Sequence, residues 1–218
     1  MKKTHIKICC ISSIEEAKIA IKAGASALGL VGHMPSGPGI IKDDLIAEIA
    51  AFVPNYIDTF LLTSETKVTN IIEHYNKVKT TTIQIVDDLT EGSHKQLKIA
   101  LPKVKLVQVL HVLDESSIEM AIKISKDVDV ILLDSGNPNL ATKELGGTGR
   151  VHNWEISKAI VENVDIPVFL AGGLNPTNAL KAISRVNPYG LDLCSGVRTN
   201  GNLDSVKLAS FFNAVNNY

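Results

Sequence analysis

The sequence predicts an α/β fold, a (β/α)8 barrel with eight parallel strands, on three observations. Apolar strand-like runs alternate with helix-period segments from one end of the chain to the other. Several of these runs are apolar at consecutive positions, as in Val130-Ile131-Leu132-Leu133, which marks strands buried on both faces in a parallel sheet covered by helices. Eight strand–helix pairs in 218 residues come to about 27 residues per pair, the size of a compact barrel. An open doubly wound sheet is the alternative, and the regularity of the eight alternations favours the closed barrel.

The first strand is the apolar run His5-Ile6-Lys7-Ile8, reaching Cys9. Its helix spans 14–23 and starts at Ser13, an N-cap with Glu16 at the capping-box spacing. Strands are then expected at 27–31, 58–62, 82–86, 106–111, 129–134, 167–171 and 190–194. The helices between and after them are expected at 43–52, 68–77, 93–100, 116–126, 153–162, 177–186 and 205–215. No linker or low-complexity stretch interrupts the pattern, so residues 1–218 read as a single barrel domain. The longest insertions, Gly32–Pro38 and Ser135–Gly149, follow strands two and six. Both lie on the side of the strand C-termini, where such barrels carry their active sites.

Composition excludes several classes of function. A formal net charge of −1 gives no electrostatic case for nucleic acid or an anionic membrane. No apolar run reaches membrane-spanning length, and the first residues contain no signal-peptide core. The cysteines, Cys9, Cys10 and Cys194, are odd in number and form no CxxC pair, and the six histidines show no HxH or HExxH spacing. A reduced cytoplasmic protein without a bound metal is expected, as a monomer or a homodimer. Only Arg150, Arg185 and Arg198 supply guanidinium groups, so a phosphate site would rest on lysine or backbone N–H groups.

Chemistry-bearing residues gather at the strand ends. Cys9 ends strand one beside a helix N-terminus, a positive field that favours a thiolate. Asp134 ends strand six, and in a closed barrel the two face one mouth as a candidate acid–base pair. Gly146-Gly147-Thr148-Gly149 reads as a flap able to close over a ligand. Gly172 and Gly173 after strand seven, and Ser195 and Gly196 after strand eight, occupy the two loops where many barrels hold phosphate. Asp192 shares the Cys194 side of strand eight, close enough to the mouth to meet substrate. Gln84 and Gln108 are polar residues in apolar runs, each needing a hydrogen-bond partner in ligand, water or protein.

Together these motifs resemble the phosphoribosylanthranilate isomerase family. The family's Lys-Ile-Cys-Gly-Ile-Thr reads here Lys7-Ile8-Cys9-Cys10-Ile11-Ser12, and its Leu-Leu-Asp reads Leu132-Leu133-Asp134. Its Gly-Gly-Thr-Gly flap and following Asp-Trp match Gly146 through Gly149 and Asn153-Trp154. Its Ala-Gly-Gly-Leu-x-Pro-x-Asn matches Ala171 through Asn178, and Val-Asp-Val-x-Ser-Gly-Val matches Leu191 through Val197. The resemblance implies an Amadori rearrangement of a phosphoribosyl-amine in tryptophan biosynthesis, with no metal and no organic cofactor and with a small phosphosugar as the partner. It assigns Asp134 as general acid and Cys9 as general base. Asp192, Gln84, Gly147, Thr148 and Gly149 would meet the substrate, and Gly172, Gly173, Ser195 and Gly196 would hold its phosphate.

Three departures from the family stand out. The segment after strand two, His33-Met34-Pro35-Ser36-Gly37-Pro38-Gly39, lacks the arginine of the family's Ser-Pro-Arg, which meets the anthranilate carboxylate. On strand four the family's Val-Gln-Leu-His-Gly reads Ile83-Gln84-Ile85-Val86-Asp87, keeping the glutamine and losing the histidine. The family's glycine after the catalytic cysteine is Cys10, expected to pack outward. A different aglycone, or a phosphosugar-binding barrel without catalysis, are the competing expectations.

Overall fold

The computed structural model describes residues 4–137, 139–140, 143, 149 and 151–216. In chain order its first half is β1 (His5–Ile8), α1 (Ile14–Ala23), β2 (Ala27–Val31), α2 (Asp43–Phe52), β3 (Asp58–Thr63), α3 (Val68–Val78), β4 (Thr82–Ile85) and α4 (His94–Ala100). The second half is β5 (Lys105–His111), α5 (Ser116–Ile124), β6 (Val130–Asp134), α6 (Trp154–Asn163), β7 (Val168–Leu170), α7 (Ala179–Val186), β8 (Gly190–Leu193) and α8 (Ser205–Asn216). The eight strands form a closed barrel in sequence order, with β8 paired in parallel to β1, Ile8 opposite Leu193. This is the predicted (β/α)8 barrel. Among the described residues no helix is long and apolar enough to cross a membrane.

Strand alternation divides the apolar residues into two layers. Ile6, Ile8, Leu28, Leu30, Leu61, Ile131, Leu133, Leu170, Leu191 and Leu193 face outward and pack beneath the helices. Cys9, Ala27, Val31, Phe60, Leu62, Val107, Val109, Leu132, Phe169 and Ala171 fill the barrel interior. Because both faces of each strand are covered, the runs are continuously apolar. Lys7 breaks the pattern: it has the parity of Cys9, points inward and is fully buried.

Local capping fixes where helices begin. Ser13 caps α1, its Oγ accepting from the Glu16 N–H at 3.1 Å, while Glu16 reaches back to the Ser12 N–H at 3.0 Å. Helix α7 starts at Ala179 rather than Thr177, because the preceding turn is held by its own side chains. Asn175 Oδ1 accepts from the Thr177 N–H, and Asn178 Oδ1 accepts from the Asn175 N–H, both at 2.9 Å. After β8 the chain makes a 3₁₀ turn (Ser195–Val197) and a small hairpin, β9 (Arg198–Thr199) with β10 (Asn202–Leu203), none of which the apolar pattern signals.

Candidate active site

The C-terminal mouth of the barrel opens into a cavity of about 720 Å³ that continues into solvent. Cys9, Gln84, Asp134 and Asp192 line it, together with Gly172, Gly173 and Ser195 from the last two loops. The loop after β2 contributes Met34, Ser36, Gly37 and Pro38 to its rim. That loop is tied to the loop after β6 by Ser36, whose Oγ donates to the Lys143 carbonyl at 2.6 Å. Of the predicted flap, Gly149 also lines the cavity, and a Cβ on it would lie 3.7 Å from Ser195 Oγ. Gly146, Gly147 and Thr148 lie outside the described residues.

Beneath the mouth, β1 and β8 bring the strongest charges together. Lys7 Nζ donates to Asp192 Oδ2 at 2.8 Å and sits 5.1 Å from the centroid of the Phe60 ring. Burial disfavours its ammonium, but the Asp192 carboxylate and the nearby thiols outweigh that and hold its pKa above the ordinary lysine value. Gly29 on β2 makes the space: a Cβ there would lie 2.8 Å from Cys9 Sγ and 3.2 Å from Lys7 Nζ. The other oxygen of Asp192, Oδ1, is buried without a hydrogen-bond partner among the described residues. A carboxylate pinned by one oxygen and bare at the other is an acceptor waiting for a donor.

Asp134 closes β6 at the same mouth. Burial pushes its carboxyl pKa up, even though the Ser135 N–H donates to Oδ1 at 2.7 Å and favours the anion. A carboxyl group that keeps its proton nearer to neutral pH is suited to act as an acid. The two glutamines separate. Gln84 points into the cavity with Oε1 unpartnered, whereas Gln108 faces the helices. Gln108 Nε2 donates to the Ile85, Asp87 and Val109 carbonyls, and its Oε1 pairs with His94 Nε2 at 2.8 Å, so it holds α4 to the barrel.

The loops after β7 and β8 are shaped by backbone contacts. Gly172 and Gly173 both have positive φ, 82° and 62°, a region that side chains disfavour. Their N–H groups make no hydrogen bond among the described residues, and both residues border the cavity. The Gly173 carbonyl is held by Asn178 Nδ2 at 3.0 Å and Asn175 Nδ2 at 3.2 Å, which fixes the turn. Gly196 packs so closely on this turn that a Cβ would lie 1.9 Å from the Leu174 carbonyl oxygen.

Cys10 corrects an expectation. It does not pack outward: it lines the cavity, is buried, and has a φ of 64°. Its position is glycine-like, and the loop after β2 accommodates its side chain with a second glycine. A Cβ on Gly39 would lie 2.4 Å from Cys10 Cβ. Cys10 Sγ lies 3.6 Å from the Pro38 carbonyl and 2.7 Å from Cys194 Sγ. Arg198, from β9, braces this corner: its guanidinium donates to the Cys9 and Cys10 carbonyls and to both oxygens of Glu16. Burial pushes the Glu16 carboxyl up, but hydrogen bonds from Arg198 and from the Leu203 and Ser12 N–H groups win and hold it below the usual range.

Three participants at this site, Lys7, Cys194 and Arg198, are absent from the sequence-based candidates. The period-two rule that puts Asp192 and Cys194 on one side of β8 also puts Lys7 beside Cys9, so Lys7 was within reach of that reasoning. The partners of Arg198, roughly 180 residues away in sequence, carry no local signal.

Comparison with known proteins agrees with this architecture. The family model described as N-(5'phosphoribosyl)anthranilate (PRA) isomerase matches residues 6–214. The chain is 36% identical over 215 residues to N-(5'-phosphoribosyl)anthranilate isomerase 2 of Methanosarcina mazei, covering 98% of this chain and 94% of that protein. The solved N-(5'-phosphoribosyl)anthranilate isomerase of Pyrococcus furiosus superposes with a TM-score of 0.80 at 24% identity, over 99% of this chain and all of that one. A phosphoribosyl anthranilate isomerase solved with reduced 1-(o-carboxyphenylamino)-1-deoxyribulose 5-phosphate superposes with a TM-score of 0.78 at 21% identity, over 99% and 100% of the two chains. With the matching model spanning nearly the whole barrel, the chain belongs to the N-(5'-phosphoribosyl)anthranilate isomerase family.

Proposed function

We propose that this barrel catalyses the Amadori rearrangement of N-(5-phosphoribosyl)anthranilate in tryptophan biosynthesis, as a cytoplasmic enzyme in one barrel domain. The observation that supports the residue roles is that Cys9 and Asp134 line one cavity together with the two glycine loops after β7 and β8. Asp134, whose carboxyl pKa burial raises, donates a proton to the ribose ring oxygen, and the ring opens to a Schiff base. Cys9 then removes the proton from C2′, giving the enolamine, which tautomerises to the 1-deoxyribulose product. The oxidation at C2′ and the reduction at C1′ balance within the substrate, so no external oxidant or reductant takes part.

The other groups position the substrate. Asp192, pinned through Oδ2 by Lys7, offers its bare Oδ1 to the substrate amine N–H. Gln84 offers Oε1 to a substrate hydroxyl. The N–H groups of Gly172 and Gly173 receive the phosphate together with the loop at Ser195 and Gly196, since small residues there let the backbone approach it closely. Gly149, which lines the cavity, is placed to meet the bound substrate.

A second reading keeps the chemistry and changes the aglycone. No lysine or arginine is among the described residues at the cavity wall, so none of these offers a cation to an aglycone carboxylate. One steady-state assay tests both. The purified protein is expected to consume phosphoribosylanthranilate, followed by the loss of anthranilate-type fluorescence. Folded protein that leaves this substrate untouched and converts a phosphoribosyl-amine with a neutral aglycone would establish the second reading.

A further inference from the structure

Two of the three thiols at this mouth have no part in the proposed chemistry, and their geometry gives them one of their own. Cys10 follows the base Cys9 just beyond β1, and Cys194 follows β8, the strand paired with β1 in the closed barrel. Their sulfurs are 2.7 Å apart, inside the van der Waals separation of two sulfur atoms. A disulfide brings sulfurs to about 2.05 Å, so only a small further approach separates the pair from a bond. Both residues line the open cavity, which gives a small oxidant access from solvent.

We infer that Cys10 and Cys194 are a reversible oxidation site, closing to a disulfide that links the end of the first strand to the loop after the eighth and stops turnover. The bridge itself is independent of the reaction assigned above; its effect on turnover rests on that reading. Cys194 is the more acidic of the two: the contact with Cys10 lowers its pKa, with help from the Arg198 guanidinium, while the same contact pushes Cys10 well up. With hydrogen peroxide as oxidant, the Cys194 thiolate attacks one oxygen, the O–O bond breaks, and a sulfenic acid forms with release of hydroxide. The Cys10 sulfur attacks the Cys194 sulfur, the S–S bond forms, the S–O bond breaks, and a second hydroxide leaves. The two thiol protons neutralise the hydroxides, so two thiols are oxidised and one peroxide becomes two waters. A dithiol restores the pair by exchange.

The bridge would act on catalysis through its neighbours. Cys10 adjoins Cys9 in sequence and packs on Gly39 of the loop after β2, and Cys194 adjoins Ser195 on the phosphate rim. A covalent tie fixes both rims to one another and commits the wall of the cavity to one shape. Cys9 is the competing partner, since its side chain also reaches Cys10. A bridge between adjacent residues closes a strained ring, and that strain disfavours it against the cross-strand pair.

Peptide mapping after mild peroxide treatment and alkylation, without reduction, decides the matter. Trypsin places Cys9 and Cys10 in peptide 8–18 and Cys194 in peptide 186–198. A cross-link between these peptides is expected in the wild type and in Cys9→Ala, and is expected to vanish in Cys10→Ala and in Cys194→Ser. Wild-type turnover should fall with the bridged fraction and return with dithiothreitol, while Cys194→Ser keeps its own untreated rate under the same exposure. No cross-link in folded wild type at exposures that already oxidise Cys9 would overturn the inference. So would a cross-link that survives in Cys10→Ala, or a bridged protein with undiminished turnover. The map reads the same whether or not the protein turns over phosphoribosylanthranilate, which separates the two claims.

Discussion

The two rims of the active-site mouth are built by different means. The rim after β7 and β8 is made of backbone: Gly172 and Gly173 in positive φ, and Gly196 pressed onto the Leu174 carbonyl. The rim after β1 and β2 is made of side chains, with Cys10 filling the space that Gly39 leaves and touching Cys194. A backbone-built rim tolerates few sequences and leaves a glycine signature. A side-chain-built rim can be refilled by another pair of residues.

Lys7 lies buried beneath both rims, and its replacement should have the largest effect on stability. Lys7→Met leaves the Asp192 carboxylate buried without its counter-ion, a loss of about 3–5 kcal/mol when one partner of a buried pair is removed. Denaturant titration measures it, and a loss below about 1 kcal/mol would show that solvent reaches Asp192. Gly196→Ala comes next. Its Cβ meets a backbone oxygen at 1.9 Å, and the expected cost is about 1–3 kcal/mol with a raised KM for the phosphorylated substrate. An unchanged KM would separate this turn from phosphate binding.

The Glu16–Arg198 brace predicts a pH dependence on the side-chain rim. The folded-state pKa of Glu16 is depressed, so its contribution is present above the ordinary glutamate value and is lost as pH falls through the lower folded value. Glu16→Gln should cost about 1.5–3 kcal/mol near neutral pH and flatten the acid limb of the stability curve. Parallel curves for the two proteins would remove Glu16 from that limb. The smallest effect is a coupling. Gly39→Ala is strained by its φ of 79° and by contact with Cys10, and Cys10→Gly should recover about 1 kcal/mol of its cost in a double-mutant cycle. Strict additivity would mean that the rim yields without repacking.

The same contrast governs what the sequence made readable. All eight strands and helices were legible, because burial on both faces writes long apolar runs and helical periods that need no tertiary information. Cys9, Asp134, Asp192 and the glycine loops were legible because strand ends in a closed barrel converge. The inward Lys7 was within reach of strand alternation, but its pairing with Asp192 was not read, nor were the Cys10–Gly39 fit and the reach of Arg198. Each of these depends on a partner from another strand or loop. The 3₁₀ turn and hairpin at 195–203 were missed for a related reason: their order comes from Glu16, which accepts from both Arg198 and the Leu203 N–H.

The central claim is that Cys9 and Asp134 work as one acid–base unit, and the kcat of Cys9→Ala, Asp134→Asn and the double variant tests it most directly. Each single variant should lose about 10²–10⁴-fold in kcat with little change in affinity for phosphate esters, and the double variant should be scarcely worse than the poorer single. Near-wild-type turnover by either single variant, or fully multiplicative losses in the double, would contradict it.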